Sequence, residues 1–387
     1  MFVLVNCSRS NLENETHLTD LPYSAQLRNS LKKVLAEDPI DSPIGISAAI
    51  IVPGYKPWYG VVGYSHANQP ITPETLFNIG SIEKNFQAAL ILQLASEGRI
   101  ELDDPISKYL SDLPNVDKNT TIRQLLNHTS GIFNVFEHPD FPWIGTDVDY
   151  GKTWDLNEVF DNFVKPPYGS PGVVQHYSST NYLLITKIIE KVTGNTVPAE
   201  IKRRFLDPME LQHTFISLGE EPPTNYSVAH GWVDIDRDGE LEDFYGIPST
   251  WIVSLTHPVM FANANDLARW INSIYHEQIV LDSSLVEEML TFPDVSSLDP
   301  DGGVYGIGVV DYSSILGKYA IGHAGSSLGY SAVALYLPED GITIVWLINT
   351  GESPPELAEQ LMLESWLALI SILEVIQDNP QGFPRVR

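Results

Sequence analysis

Residues 75–94 read T-L-F-N-I-G-S-I-E-K-N-F-Q-A-A-L-I-L-Q-L, and the second half is a helical pattern apolar on nearly every side. Phe86, Leu90, Ile91, Leu92 and Leu94 leave no continuous polar stripe, and Gly98 supplies a stop. A helix of that kind is wrapped by other elements, so the chain has to build its core around it. At its opening stand Ser81 and Lys84, three residues apart and therefore on one helical face. A strand-like run with Phe77 and Ile79 leads in, and Gly80 permits a tight turn. An amine shielded from water releases its proton more readily and can then take one from a hydroxyl. The pattern reads as an activated nucleophile working through an acyl-serine. A serine that only caps a helix is the alternative. The same spacing recurs at Ser30 and Lys33, but there the serine lies inside an amphipathic helix with lysines on its wet face. That copy reads as structural.

Two further positions add chemistry. Tyr177, in H-Y-S-S-T-N-Y-L-L-I-T-K-I-I-E-K-V-T-G, precedes a helix whose apolar face is Leu183, Leu184, Ile188 and Ile189, closed by Gly194. A phenol there can share a proton with Lys84 and pass it to a leaving group. His323, in I-G-H-A-G-S-S-L-G-Y-S, lies in a Gly-rich strand. Backbone N–H groups of such a strand can face a cleft and stabilise a tetrahedral oxyanion. Taken singly, each of these residues also has an ordinary packing role.

The bulk numbers exclude several classes. Lys and Arg total 22 against 50 Asp and Glu, a net charge of −28 in a chain of 387 residues. Charged residues make only 19% of the chain, so the imbalance comes mainly from scarce Lys and Arg. Such a surface repels nucleic acid and anionic membrane. Cys7 is the single cysteine, which excludes an internal disulfide framework and a cysteine-based metal site. M-F-V-L-V-N-C at the start resembles the tail of a lipoprotein signal, which favours an extracytoplasmic location. It lacks the basic start and the length of a whole signal peptide, and a flexible terminus is the other reading. No apolar run is long enough to make a transmembrane segment.

Along the chain, residues 1–20 read as a flexible N-terminus and 22–37 as an amphipathic helix. G-I-S-A-A-I-I-V and W-Y-G-V-V-G-Y, joined by P-G-Y-K-P, read as a hairpin. The pattern is helical over 75–300, and strands then return as Y-G-I-G-V-V-D-Y, Y-A-I-G-H-A-G, S-A-V-A-L-Y-L and I-T-I-V-W-L-I-N. A last helix is expected over 355–377, before a flexible tail at 378–387. The expected fold is mixed α/β. One antiparallel sheet flanked by helices is formed by both chain ends (21–74 and 301–377), with 75–300 as an inserted helical domain and the active site between them.

In order and separation, S-I-E-K, Y-S-S and H-A-G resemble the serine β-lactamase and D-alanyl-D-alanine peptidase superfamily, nearest its class C-like esterases and D-stereospecific peptidases. T-I-R-Q-L-L-N-H-T-S-G-I (121–132), N-Y-L-L-I-T-K-I-I-E-K-V-T-G (181–194) and A-N-D-L-A-R-W (264–270) agree, and the similarity runs from about residue 40 to 350. The resemblance implies a β-lactamase/transpeptidase-like fold. It implies that Ser81 is the acylated nucleophile, that Lys84 helps deprotonate it, and that Tyr177 is general base and then proton donor. His323 matches the histidine or lysine of the third motif, with Ala324 and Gly325 beside it against the substrate. The N–H groups of Ser81 and Ser326 match the oxyanion hole. No cofactor is required, and the partner is a small-molecule ester, amide or peptide. A catalytically silent penicillin-binding-like protein that holds peptidoglycan or peptide is the alternative.

Two departures stand out. Ser179 replaces the Asn of the family's Y-x-N, which is expected to hold a substrate amide carbonyl. Ala324 replaces a Thr that often helps bind a substrate carboxylate, and His323 is a poorer fixed cation than Lys at neutral pH. Both lean away from β-lactams and toward esters or small D-amino acid amides. Gly325–Gly329 also fits G-x-S-x-G around Ser327, but that elbow needs a following helix and a later histidine. Here strands follow, and all ten histidines precede Ser327. Finally, Asp234, Asp236 and Asp238 before Gly239 look like the opening of a calcium loop, with Tyr245 where the closing Glu belongs. A structural calcium ion and a solvated acidic loop are the two readings.

Overall fold

The computed structural model describes residues 18–36, 44–142, 149, 151–234, 240–245, 258–297, 303–327, 329–351 and 375. Helix α1 (Ser24–Ala36) buries Leu27 and Leu31 and lies on the hairpin of strands β1 (Gly45–Ile51) and β2 (Trp58–His66). Lys33 is exposed on this helix, as the structural reading of the second S-x-x-K requires. A short β3 (Gln69–Pro70) follows, then β4 (Phe77–Asn78) and the long helix α2 (Glu83–Ser96). Next come α3 (Ile122–Leu126), α4 (Ser179–Thr193), β5 (Thr214–Ser217), β6 (Val259–Ala262) and α5 (Ala264–Tyr275). The chain returns through β7 (Val304–Tyr305), β8 (Val310–Asp311), β9 (Ile321–Ser327), β10 (Tyr330–Leu337) and β11 (Ile342–Ile348).

The main sheet among the described residues runs β7-β8-β9-β10-β11-β1-β2-β3, with antiparallel neighbours throughout. Its centre joins the two ends of the chain, since β11 pairs with β1 from Ile46↔Ile348 to Ile51↔Thr343. Every residue of β11 is buried. The strand therefore reads as a continuous apolar run, because one face joins the core cluster of Leu27 and Leu31 and the other packs under α5.

Helix α2 lies inside the larger core, with Phe86 stacked on Trp270 of α5 at 3.9 Å. Its buried amides are satisfied internally, as low-dielectric burial demands. Asn85 donates to Tyr275 Oη and Gly308 O, both at 2.9 Å, and accepts from Trp270 Nε1. Gln87 bonds Glu83 and Thr186.

Two expectations need correction. The run Y-G-I-G-V-V-D-Y is not one strand but the β7–β8 pair. Its middle leaves the sheet so that Ile307 N reaches Met289 O and Gly308 O takes the Asn85 amide of α2. The segment 75–300 also holds a three-stranded sheet, β4-β6-β5, which short runs masked in the sequence. The expected helix over 355–377 and both expected flexible termini lie outside the described residues, apart from 18–20 and 375. No helix among the described residues is long and apolar enough to cross a membrane.

Candidate active site

Three segments of chain meet at Ser81. The first is the turn that carries it. Asn78 at the end of β4 accepts from Gly80 N through Oδ1 (2.9 Å) and donates from Nδ2 to Ser327 Oγ (3.1 Å). One carboxamide thus fixes the turn and ties it to the end of β9. Gly80 has φ +50°, a left-handed conformation that glycine adopts without steric cost. A single 3₁₀ turn, Gly80–Ile82, then feeds α2. It leaves Ser81 half-buried while Lys84, one turn later, is fully buried.

The second segment is β9. Its residue Gly325 crosses the serine turn so closely that an added Cβ would lie 2.0 Å from Ile79 O and 3.0 Å from Ser81 N. That approach is why H-A-G needs its glycine. In β9 the pairs Ser327↔Tyr330, Gly325↔Ala332 and His323↔Ala334 follow a two-residue turn. These residues bond β10, so Ala324 and Ser326 direct their N–H groups to the other edge. Ala324 N there donates to Tyr312 Oη (2.9 Å). Strand β8 reaches only as far as Gly322, so the Ser326 N–H faces the serine turn rather than a strand.

The third segment enters α4. Gln175 anchors it, donating to Asn127 O and Tyr305 O and accepting from Tyr305 N. Two residues later Tyr177 extends its hydroxyl to Ser81. Tyr177 Oη donates to Ser81 Oγ at 2.7 Å, and Lys84 Nζ donates to the same oxygen at 3.0 Å. Lys84 Nζ lies 5.5 Å from the Tyr177 ring centre and 5.6 Å from that of Tyr182. The ammonium is thus set among aromatic faces, where a cation is attracted.

His323 is buried and faces the serine turn on the same side of β9 as Gly325. Its Nδ1 donates to Ala324 O (2.5 Å). Burial drives its pKa down to about 4, outweighing that bond, and the Lys84 charge adds to the effect. At neutral pH His323 is an uncharged imidazole, not a fixed cation. Ala324 points to the opposite face and packs with the apolar cluster that includes Tyr305 and Tyr312. Ser179 is the first residue of α4 and is 1% exposed. Its N–H donates to Asn134 Oδ1 (3.3 Å), and its hydroxyl makes no hydrogen bond among the described residues.

Ser327, the serine of the G-x-S-x-G match, ends a strand and is bonded to Asn78 rather than to a histidine. Of the three calcium candidates, Asp234 is buried at 5% exposure, while Asp236 and Asp238 lie outside the described residues. No group of three or more His, Cys, Asp or Glu able to hold a metal occurs among the described residues.

Sequence reasoning missed His128, Asn134 and Tyr305, which wall the site around Tyr177 and Ser179. N-H-T-S-G was visible as a string. Nothing local shows that its histidine packs against a tyrosine 49 residues further on.

Comparison with known proteins agrees with this geometry. The family described as Beta-lactamase matches residues 37–365. A β-lactamase of Yersinia enterocolitica is 23% identical over 375 residues, covering 88% of this chain and 90% of that protein. A teichoic acid D-alanine hydrolase of Staphylococcus aureus is 28% identical over 253 residues, but only 60% of each chain is matched. Among solved structures, a D-stereospecific amidohydrolase from Streptomyces sp. superposes with a TM-score of 0.72 at 26% identity, over 85% of this chain and 94% of that one. The serine turn, the tyrosine before α4 and the glycine-bearing strand lie within one matched span, and the chain belongs to the β-lactamase family of serine hydrolases.

Proposed function

We propose that the chain hydrolyses esters and small D-amino acid amides or peptides through an acyl-Ser81 intermediate. The observation that carries this reading is the double hydrogen bond onto Ser81 Oγ from Lys84 Nζ and Tyr177 Oη, groups brought together from α2 and from the entry to α4. Tyr177 first gives its hydroxyl proton to solvent and, as a phenolate beside the Lys84 ammonium, takes the serine proton. Ser81 Oγ forms a bond to the substrate carbonyl carbon, and the carbonyl electron pair moves onto oxygen. The N–H groups of Ser81 and Ser326 are placed to hold that oxyanion. Its collapse expels the alcohol or amine, which leaves with the proton from Tyr177. Water then attacks the acyl-serine, giving its proton to Tyr177, and Ser81 departs with it. Each step uses groups of the chain and water alone.

The two departures set the preference. His323 is neutral and Ala324 carries no hydroxyl, so neither offers the charge or donor that a substrate carboxylate would want. Ser179 keeps its short hydroxyl buried where the family has a carboxamide. These features weigh against β-lactams. The similarity to a D-stereospecific amidohydrolase and a D-alanine hydrolase supports a D-aminoacyl group on the acyl side.

The test is a turnover screen of short-chain p-nitrophenyl esters, D- and L-amino acid amides and a chromogenic cephalosporin, with fluorophosphonate labelling in parallel. Turnover of esters or D-amides with the adduct on Ser81 supports the reading. A protein that binds muropeptides but neither labels nor turns over any probe is a silent binder instead.

A further inference from the structure

Tyr177 stands in the connection before α4, and something must hold its ring over Ser81 to within hydrogen-bond tolerance. We propose that His128 is the positioning residue for Tyr177, clamping the backbone on both sides of it and backing its ring. This rests on the reading of Tyr177 as the proton-transfer group.

Three contacts converge. His128 O accepts from His176 N at 3.0 Å, and His128 Nδ1 accepts from Ser178 N at 3.1 Å. The residues immediately before and after Tyr177 therefore hang from one residue. The imidazole centre lies 4.6 Å from the Tyr177 ring, tilted by 36°. A main-chain acceptor and a side-chain acceptor from a single residue fix the peptide planes that set the direction of the Tyr177 Cβ.

The clamp is itself braced. His128 is 1% exposed, and its ring also meets Tyr182 at 5.6 Å and Tyr305 at 5.0 Å. Asn181 accepts from Ser130 Oγ through Oδ1 (2.7 Å), which turns its Nδ2 toward His128 Nδ1 (3.3 Å). Two N–H donors thus point at Nδ1, so that nitrogen carries no proton and any proton sits on Nε2. The charges around it favour this form. Burial pushes the His128 pKa well below its ordinary value, and Lys84, His323 and His176 push the same way. A proton on Nδ1 would set a third N–H against these two donors and a second cation beside Lys84. The residue also has φ +59°, a left-handed conformation with a steric cost for any residue other than glycine. A histidine held there against that cost, with its acceptors spent on the residues flanking Tyr177, is doing more than filling space.

The consequence is distance. Proton transfer needs the phenol within about 2.6–3.2 Å of the serine oxygen, and it stands at 2.7 Å. Misplacement by about 1 Å can cost roughly 100-fold in rate.

Two variants separate the parts, measured on a p-nitrophenyl ester beside Tyr177→Phe. His128→Asn keeps an acceptor near the Nδ1 position and tolerates the left-handed backbone, but loses the outer ring. His128→Phe keeps the ring and loses the acceptor. The expected result is a kcat loss of roughly 100-fold for His128→Phe, partial rescue to within about 10-fold in His128→Asn, and KM within about 3-fold in both. Circular dichroism and Tm establish which variants fold. If either folded variant keeps native kcat, or if KM moves while kcat does not, the positioning role is overturned. Should His128→Phe fail to fold, the kcat and KM of His128→Asn decide alone. A fully active Tyr177→Phe would instead overturn the role of Tyr177, and the clamp with it.

Discussion

Gly325→Ala probes the closest approach in the site. The new methyl would stand 2.0 Å from Ile79 O and 3.0 Å from Ser81 N, both main-chain atoms. Neither can swing aside, because Ile79 N is bonded to Met260 O of β6 at 2.9 Å and Ser81 starts a buried helix. Relief requires β9 to move off the serine turn by about 1.4 Å before the contact becomes an ordinary one. The Ser326 N–H moves with it, so an oxyanion bond of about 2.9 Å lengthens to about 4.3 Å and is lost. Loss of one such donor costs roughly 10²–10³ in kcat. Overpacking adds about 1–3 kcal/mol of instability. The assay is kcat and KM on a p-nitrophenyl ester with Tm alongside. A Gly325→Ala protein with kcat within about 3-fold of native and an unchanged Tm would falsify the claim that the strand must pass this close to Ser81.

Other expectations follow from the same geometry. Ser81→Ala should abolish both hydrolysis and fluorophosphonate labelling, while Ser327→Ala retains labelling. An adduct mapped to Ser327 by mass spectrometry contradicts the assignment. Ser179→Asn should raise the ratio of amide to ester kcat/KM by roughly five-fold, the worth of one added hydrogen bond of about 1 kcal/mol; an unchanged ratio shows that residue 179 does not set the preference. Stability should fall on acidification. His323 has its folded pKa pushed down from 6.5 to about 4, so the unfolded chain binds a proton that the folded one refuses. Its contribution is complete above pH 6.5 and is lost as the pH falls toward 4, by about 3 kcal/mol, and the lowered pKa of His128 adds to the trend. Tm scans from pH 7 to 4.5 should slope less in His323→Gln than in the native protein, and equal slopes would refute this account.

Much of the site was legible in the chain because its signals are local. Ser81 and Lys84 share a helix face through spacing alone, and the apolar surround of α2 announces that Lys84 lies deep. The hairpin of β1 and β2, the helix entered after Tyr177 and the strands β9 to β11 follow from alternation, apolar runs and glycine stops. Where local pattern and tertiary need diverge, reading by pattern fails. Residues 305–312 alternate like a strand, yet they break so that Gly308 and Ile307 can bond to α2 and to the end of the helix Ser283–Met289.

The sequence by itself put forward which residues could carry chemistry, because residue type and helical spacing are properties of adjacent chain. It also determined that a sheet forms from both ends, since those ends hold the longest runs with the period of strands. The tertiary structure alone decided what stands next to what. It set Tyr177 2.7 Å from a serine 96 residues earlier, made His323 neutral by burying it rather than by its neighbours in the chain, and hung the tyrosine segment from His128. Those distances and charge states come from desolvation and long-range packing. Neither is encoded in any short stretch of residues, and both exist only once the core has closed around α2.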